Sequence, residues 1–225
     1  MEITYFGHSC FLVNIGGYRL LFDPFIRPNE KATSINVDKI EADFILLSHA
    51  HQDHSYDVEE IARRCDIPII GIWEIHAYYE KKGLKTHPMN IGGKWPFEFG
   101  TIRMTPAVHS SSFPDGSYGG NPAGFVIESD EHIFYYAGDT ALFSDMQLIG
   151  NLHKPTFAFL PIGDNFTMDI QEALVAAKWL GVNKVIGMHF DTFPYIEINH
   201  SEAKIAADFH EIDLILMKIG ETISL

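Results

Sequence analysis

A chain of 225 residues is long enough to bury one large hydrophobic core. Hydrophobic residues make up 46% of the sequence and charged residues 20%, a composition that excludes an intrinsically disordered protein. The 30 acidic and 16 basic residues give a formal net charge of −14, and no long basic run is present. Binding to a phosphate backbone would lack its usual electrostatic support, so we expect no nucleic-acid partner.

The two cysteines, Cys10 and Cys65, form no Cys-x-x-Cys pair, so the sequence predicts neither a disulfide framework nor a structural zinc knuckle. The N-terminal residues lack a basic region ahead of an apolar core, and no apolar run approaches the roughly 20 residues that span a bilayer. We therefore expect a cytoplasmic protein in a reducing compartment with no membrane partner. The oligomeric state is not predicted by these features.

Short apolar stretches separated by turn residues predict strands in the first part of the chain. These predicted strands cover residues 3–6, 11–15, 18–22, 44–47 and 67–70. The polar segment 27–38 is expected to form a surface loop that borders a site. Helices are predicted over 58–65 and 74–82, and Gly83 occupies the stop position of the second one.

The second part of the chain also alternates strands and helices. Strands are predicted within 95–109 and over 125–127, 133–136, 156–160, 184–188, 214–218 and 222–225. Helices are predicted over 141–153, 167–180 and 201–210, the second of them capped by Thr167 and stopped by Gly181. We expect a single domain over 1–225, with two β-rich halves that meet near 110–122 and helices outside two packed sheets.

The stretch 48–54 matches the pattern His-x-His-x-Asp-His directly after a predicted strand. Residues two apart lie on the same side of an extended chain, so His49 and His51 can converge on one metal ion. If the chain turns after Gln52, Asp53 and His54 can face a second ion. The alternative is a polar loop whose histidines are only solvated. Imidazole and carboxylate ligands suit zinc, which we expect first, and also manganese or iron.

Three further candidate ligands, His109, Asp139 and His189, each follow a predicted apolar strand, so we expect them at the same rim of the sheets. The predicted division places His49, His51 and His109 on one metal, Asp53, His54 and His189 on the other, and Asp139 as a bridge. Two cations about 3.5 to 4 Å apart can share a hydroxide and lower its pKa for attack on a carbonyl or phosphorus centre. The pattern thus indicates a dinuclear hydrolytic site.

These ligand motifs, in this order, resemble the metallo-β-lactamase-fold superfamily of dinuclear hydrolases over essentially the whole chain. The stretches 3–9, 20–25, 137–140 and 161–168 are similar to a branch known only as metal-dependent hydrolases and akin to the ascorbate-phosphate lactonases. The resemblance implies an α+β fold, a four-layer αββα sandwich with the metals at the sheet edge. One departure is Asp169, where the family pattern leads us to expect glycine.

The leading hypothesis is a metal-dependent hydrolase in which a metal-bridging hydroxide attacks the substrate and Asp53 helps to handle its proton. The resemblance to the lactonases and the acidic composition favour an ester or lactone substrate over a phosphodiester. The substrate is expected to be a small molecule, and an anionic one is plausible because two cations would make the site locally positive. The alternatives are a di-iron oxidoreductase on the same fold and a non-catalytic protein that binds metals and a metabolite.

Three other residues are candidates for supporting the site or contacting substrate. Asp23 lies between a strand and a proline, and is either a turn former or, as the resemblance implies, a group that orients the ligand loop. His8 either stabilises a turn or polarises substrate. Asn165 could hydrogen-bond a substrate oxyanion.

Overall fold

The computed structural model describes residues 1–225 and contains two seven-stranded sheets. The first sheet is formed by β1 (Glu2–Gly7), β2 (Cys10–Ile15), β3 (Tyr18–Phe22), β4 (Phe44–Leu46), β5 (Ile69–Ile72), β6 (Thr86–Met89) and β14 (Thr222–Ser224), in the order β14-β1-β2-β3-β4-β5-β6. The second is formed by β7 (Lys94–Phe97), β8 (Gly100–Pro106), β9 (Ala123–Glu128), β10 (Ile133–Tyr136), β11 (Phe157–Pro161), β12 (Lys184–Met188) and β13 (Asp213–Ile215), in the order β13-β12-β11-β10-β9-β8-β7.

Each sheet combines an antiparallel part with a parallel part. In the first sheet β3, β4, β5 and β6 pair in parallel, and in the second sheet β10, β11, β12 and β13 do so. Strands that run in parallel end at the same edge of a sheet, where loops collect polar side chains. The stretch 48–54 follows β4, Asp139 follows β10 and His189 follows β12, so all three leave parallel strands at their carboxyl ends.

The helices are α1 (Gln52–Ser55), α2 (Val58–Cys65), α3 (Trp73–Glu80), α4 (Met146–His153), α5 (Ile170–Leu180) and α6 (His200–Phe209), with 3-10 turns at Val37–Lys39 and Pro194–Ile196. Helix α3 packs on β5 and β6, whereas α5 packs on β11 and lies between α4 and α6. On α2, the spacing of Val58, Ile61 and Ala62 places three buried residues on one face. None of these helices is both long and apolar enough to cross a lipid bilayer.

Aromatic residues join the two sheets into one core. The ring of Phe22 on β3 stacks on Tyr136 of β10 at 4.6 Å between centroids, and lies 6.5 Å from Phe159 of β11. These rings belong to a single cluster of 65 buried residues. Such inter-sheet packing, with helices against both sheets, is the arrangement that the sequence predicted, and the α+β sandwich is confirmed by the comparisons below.

Several predicted boundaries are wrong for reasons that are visible in the tertiary structure. The helix expected from 141 begins at Met146, because the backbone N–H of Ala141 donates to the carbonyl of Val108 at 3.0 Å instead of to a helical partner. The strand expected to end at His109 ends at Pro106. The chain passes from the first sheet to the second between β6 and β7, N-terminal to the 110–122 region where two halves were expected to meet.

The helix expected from 167 begins at Ile170, and Thr167 is not its cap. The cap is Asp169, whose side chain accepts a hydrogen bond from the backbone N–H of Glu172 at 2.8 Å. A carboxylate at this position satisfies a free helix N–H and complements the positive end of the helix dipole. The aspartate that stands where glycine was expected therefore has a structural role.

Candidate metal centre

The stretch 48–54 changes from extended to helical chain within the motif. His51 has extended backbone angles, and α1 begins at Gln52, where the sequence predicted a turn. His49 and His51 therefore project from the extended part, and the Nε2 atom of His49 lies 3.0 Å from the Nδ1 atom of His51. Asp53 and His54 project from the first helical turn, towards residues of the second sheet.

Asp139 lies at the centre of the predicted ligands. Its Oδ2 atom lies 3.0 Å from Nε2 of His189 and 3.2 Å from Nε2 of His54. The same oxygen lies 3.5 Å from Nε2 of His109 and 3.9 Å from Nε2 of His49. One carboxylate therefore faces histidines from both predicted metal sites, as a bridging ligand would.

Potential ligand atoms that lie within 4.8 Å of one another form three groups, of which one, Asp23 with His49 and His54, overlaps the other two. The other two share no residue. His49, His51 and His109 form one group, which we call the open group because His51 and His109 are partly exposed. Asp53, His54 and His189 form the other together with His8, and we call it the buried group. These are the two triplets that the sequence predicted, with His8 as an addition.

Three buried polar atoms of this cluster have no hydrogen-bond partner, namely Nε2 of His54, Oδ1 of Asp139 and Nδ1 of His189. Buried polar atoms in folded proteins nearly always have a partner, because an unpaired one loses its hydration without compensation. A divalent cation would satisfy such atoms, and the donor set of imidazoles and carboxylates is the one that zinc, manganese and iron accept. The residues present therefore fit a metal site.

Asp23 is fully buried behind the histidines and orients two of them. Its Oδ2 atom accepts hydrogen bonds from Oγ of Ser48 at 2.6 Å, from the hydroxyl of Tyr136 at 2.8 Å and from Nδ1 of His54 at 2.9 Å. Because Ser48 donates its hydroxyl proton to Asp23, its Oγ accepts from Nδ1 of His49 at 3.0 Å. Both histidines are thus left with Nε2 as the ligand atom, which supports the orienting role over that of a simple turn former.

His8 lies behind Asp53, a contact that the sequence did not predict. Its Nε2 atom lies 3.3 Å from Oδ2 of Asp53, and its Nδ1 atom lies 2.9 Å from Oγ1 of Thr192. Its carbonyl accepts a hydrogen bond from the backbone N–H of His189 at 2.9 Å. The ring is buried and is not part of the cleft lining, so His8 supports two candidate ligands from behind.

The family model for the beta-lactamase superfamily domain matches residues 18–190. A UPF0173 metal-dependent hydrolase from Flavobacterium johnsoniae is 50% identical over 225 residues, which is the full length of both chains. The chain belongs to the UPF0173 family of metal-dependent hydrolases. The resemblance to the metallo-β-lactamase-fold superfamily is thereby confirmed.

Solved structures agree with this family assignment. A metallo hydrolase from Ignicoccus hospitalis superposes with a TM-score of 0.89 at 37% identity, over 99% of this chain and 97% of the other. An isothiocyanate hydrolase from Delia radicum gut bacteria superposes with a TM-score of 0.78 at 18% identity, over 100% and 99% of the two chains. The second likeness shows the shared fold alone, and together they confirm the predicted α+β sandwich.

Burial keeps the histidines of the open group neutral. It lowers the pKa of His49 well below the usual value, and it lowers the pKa of His51 and of His109 in the same direction. Neutral imidazole is the form that binds a metal ion. These three side chains are therefore ready to act as ligands without first losing a proton.

The buried group carries opposite charges in close contact. Burial alone would lower the pKa of His54, but the carboxylates of Asp139 and Asp23 outweigh this and raise it well above the usual value. Burial alone would raise the pKa of Asp139, but His189 and His54 hold it well below its usual range. The desolvation of Asp53 is likewise outweighed by the hydrogen bond to His8, and its pKa is lowered. Both aspartates are therefore carboxylates.

A cleft of about 500 Å³ opens onto the two groups. It is lined by His51, Asp53, His109, Ser110, Asp139, Phe166, His189, Phe193, Pro194 and Tyr195. Asn165 is exposed and does not line this cleft, whereas its neighbour Phe166 does. Segment 27–38 does not line it either. The sequence missed Ser110 and the aromatic residues because they lie in irregular loops, which carry no periodic pattern.

Proposed function

We propose that this protein is a dinuclear metal-dependent hydrolase that cleaves carboxylic ester or lactone bonds. Under this proposal the open group, His49, His51 and His109, holds one divalent ion, and Asp53, His54 and His189 hold the other. Zinc is the first expectation, with manganese or iron as alternatives. The observation that carries the proposal is Asp139, whose Oδ2 atom lies between 3.0 and 3.9 Å from histidines of both groups.

When bound, a metal pair of this kind lowers the pKa of a water molecule and polarises the carbonyl oxygen of a substrate. The protein orients the imidazole rings of the candidate ligands. Asp23 turns Nε2 of His54 towards Asp139, and Ser48 relays the same effect to His49. Ligands held in this way keep their geometry when substrate enters, because their second ring nitrogen is already engaged.

Asp53 is placed to handle a proton at the cleft. Its side chain is 29% exposed, and its Oδ2 atom is held by Nε2 of His8. The other oxygen, Oδ1, is left to accept a hydrogen bond from a water molecule. Because the pKa of Asp53 is lowered, this carboxylate is ionised and acts as an acceptor throughout. The serine–histidine contact of the cleft, Oγ of Ser110 with Nε2 of His51 at 3.4 Å, is long and exposed.

The test is metal stoichiometry, measured by elemental mass spectrometry on protein purified without chelators or a metal-affinity tag. We expect about two zinc or manganese ions per chain, as a dinuclear site requires, and hydrolysis within a panel of esters and lactones. Asp139→Ala should lose both metal and turnover. Asp130→Ala, which changes an exposed carboxylate in the turn between β9 and β10, serves as the matched control and should keep both.

Two outcomes would contradict the metal-dependent hydrolase, and a third would contradict the bond type. Full turnover by the metal-free protein would remove the metals from the mechanism. Two tightly bound irons without any hydrolysis of the panel would favour the oxidoreductase alternative instead. Faster cleavage of phosphodiesters than of esters would correct the bond type while leaving the metal centre in place.

A further inference from the structure

One side of the cleft is aromatic rather than polar. Phe166, Phe193 and Tyr195 line it together, and we call these three residues the aromatic wall. Phe166 is 51% exposed and Tyr195 is 74% exposed, so two large apolar surfaces face water next to the candidate metal ligands. Exposed aromatic side chains grouped at one cleft are typical of ligand contact, whereas single exposed ones occur on most surfaces.

The aromatic wall is formed by two loops that touch each other. Phe166 lies in the loop after β11, and Tyr195 lies in the 3-10 turn Pro194–Ile196 after β12. The rings of Phe166 and Tyr195 meet edge to face, with their centroids 6.3 Å apart and an interplanar angle of 73°. This geometry is a favourable one for an aromatic pair, so the two loops present a continuous apolar surface.

Contacts with the ligand loops hold the aromatic wall in place. A Cβ atom on Gly163 would clash with the carbonyl oxygen of His189, so the loop that carries Phe166 packs directly against the backbone of a candidate ligand. Phe193 packs edge to face on the ring of His8 at 5.4 Å between centroids. Ile196 is fully buried and anchors the 3-10 turn. The aromatic wall is therefore held in a fixed position next to the candidate metal ligands.

The cleft is lined by no basic side chain other than histidine. None of its ten lining residues is lysine or arginine. A carboxylate or phosphate on the part of a substrate that lies away from the metals would find no cation there, within a protein of net charge −14. It would also displace water from aromatic faces without replacing the lost hydration.

We infer that the aromatic wall binds an uncharged, apolar arm of the substrate, either an acyl chain or an aromatic ring, next to the bond that is cleaved. This inference rests on the proposed function, because it takes the adjacent ligands to hold the metals. It narrows the substrate from any small ester or lactone to a neutral one with an apolar substituent. It also replaces the expectation of an anionic small molecule.

The test uses ligands that bind a metal centre through a hydroxamate group at one end and that differ in the substituent at the other end. Acetohydroxamic, butanohydroxamic, hexanohydroxamic and benzohydroxamic acids are titrated into zinc-loaded protein by isothermal calorimetry. We expect affinity to rise about two- to fourfold for each added methylene, the upper value corresponding to full burial of the group. Succinic monohydroxamic acid, which places a carboxylate where butanohydroxamic acid has a methyl group, should bind at least about tenfold more weakly than the butano compound.

Two variants test whether the aromatic wall causes the dependence of affinity on chain length. Phe166→Ala and Tyr195→Ala should flatten the dependence on chain length while leaving the affinity for acetohydroxamic acid unchanged, because the shortest ligand does not reach the aromatic wall. Phe209→Ala is the matched control, since Phe209 is 83% exposed on α6 and does not line the cleft. All three positions are exposed, so the variants should fold, and their thermal midpoints verify this.

The outcomes separate this inference from the proposed function. If no hydroxamic acid binds the zinc-loaded protein, the proposed metal centre fails and the inference fails with it. If all the compounds bind equally whatever their length, or if succinic monohydroxamic acid binds more tightly than butanohydroxamic acid, the metal centre stands and the apolar arm is refuted.

Discussion

His54 of the buried group and His109 of the open group are the same residue type in different environments. His54 has no exposed surface and lies between two carboxylates, Asp23 and Asp139, which raise its pKa. His109 has 14% of its side chain exposed, and burial without a comparable pair of carboxylates lowers its pKa. His51 is in the same situation. The pKa of each candidate ligand is thus set by the groups that pack behind it.

The two groups also differ in how their side chains are held in place. His54 of the buried group is fixed by a charged hydrogen bond to Asp23 in the core, whereas His51 and His109 of the open group are partly exposed and line the cleft, as Asp53 and His189 also do. Rigid support on one side and access on the other is what a hydrolytic centre needs. Four experiments with five substitutions test this contrast.

Removing one histidine from each group should give the largest contrast. His54→Ala leaves the carboxylates of Asp23 and Asp139 buried without their shared partner, so we expect a loss of about 3 to 5 kcal/mol in the free energy of unfolding of the metal-free protein. His51→Ala removes a partly exposed, neutral side chain and should cost less than about 1 kcal/mol. Denaturant titration in the presence of a chelator measures both. Equal losses would show that burial does not distinguish the groups.

The pH dependence of the metal-free protein should show the burial of His8. Burial, with His189 nearby, lowers the pKa of His8 from 6.5 to about 4. Between these pH values the unfolded chain binds a proton at His8 that the folded chain does not. The stability that neutral His8 contributes is therefore fully present above pH 6.5 and falls as the pH drops towards 4. The loss from this residue is on the order of 3 kcal/mol. His8→Gln should reduce the change of unfolding free energy with pH over this range. An unchanged pH dependence would contradict the attribution of this loss to His8.

Asp23→Asn tests whether the carboxylate behind the buried group tunes metal binding. The amide keeps the shape of the side chain but loses the charge that orients Nδ1 of His54, so we expect metal affinity to fall by about 10- to 100-fold. Competition with a chromogenic chelator measures the change. Asp130→Asn, on an exposed turn, is the control and should match the unmodified protein. Unchanged affinity in Asp23→Asn would leave Asp23 as a turn former only.

Ser110→Ala should have the smallest effect. The Oγ atom of Ser110 lies 3.4 Å from Nε2 of His51, which is a long and exposed contact. We expect metal affinity to change by less than about threefold, because solvent replaces the hydroxyl. A loss above about tenfold in the same chelator assay would mean that the open group depends on its hydrogen bonds as the buried group does.

Local pattern was sufficient for the elements and ligands whose signal lies within a few residues. Strands β3 and β12 begin and end where the sequence predicted, because their apolar runs are bounded by turn residues or polar residues. The stretch 48–54 indicated its own geometry, since an extended pair followed by a turn places His49, His51, Asp53 and His54 on one side. The positions after β10 and β12 added Asp139 and His189.

Only the tertiary structure decided which distant side chains meet. The hydroxyl of Tyr136 reaches Asp23 across 113 positions of sequence, and His8 reaches Thr192 across 184. Asp169 caps α5 in place of Thr167 because the preceding loop turns back on itself, with the N–H of Asp164 bonded to the carbonyl of Met168. The aromatic wall joins two loops in the same way. Such contacts depend on how two sheets pack against each other, and this packing is not encoded in any short stretch of the chain.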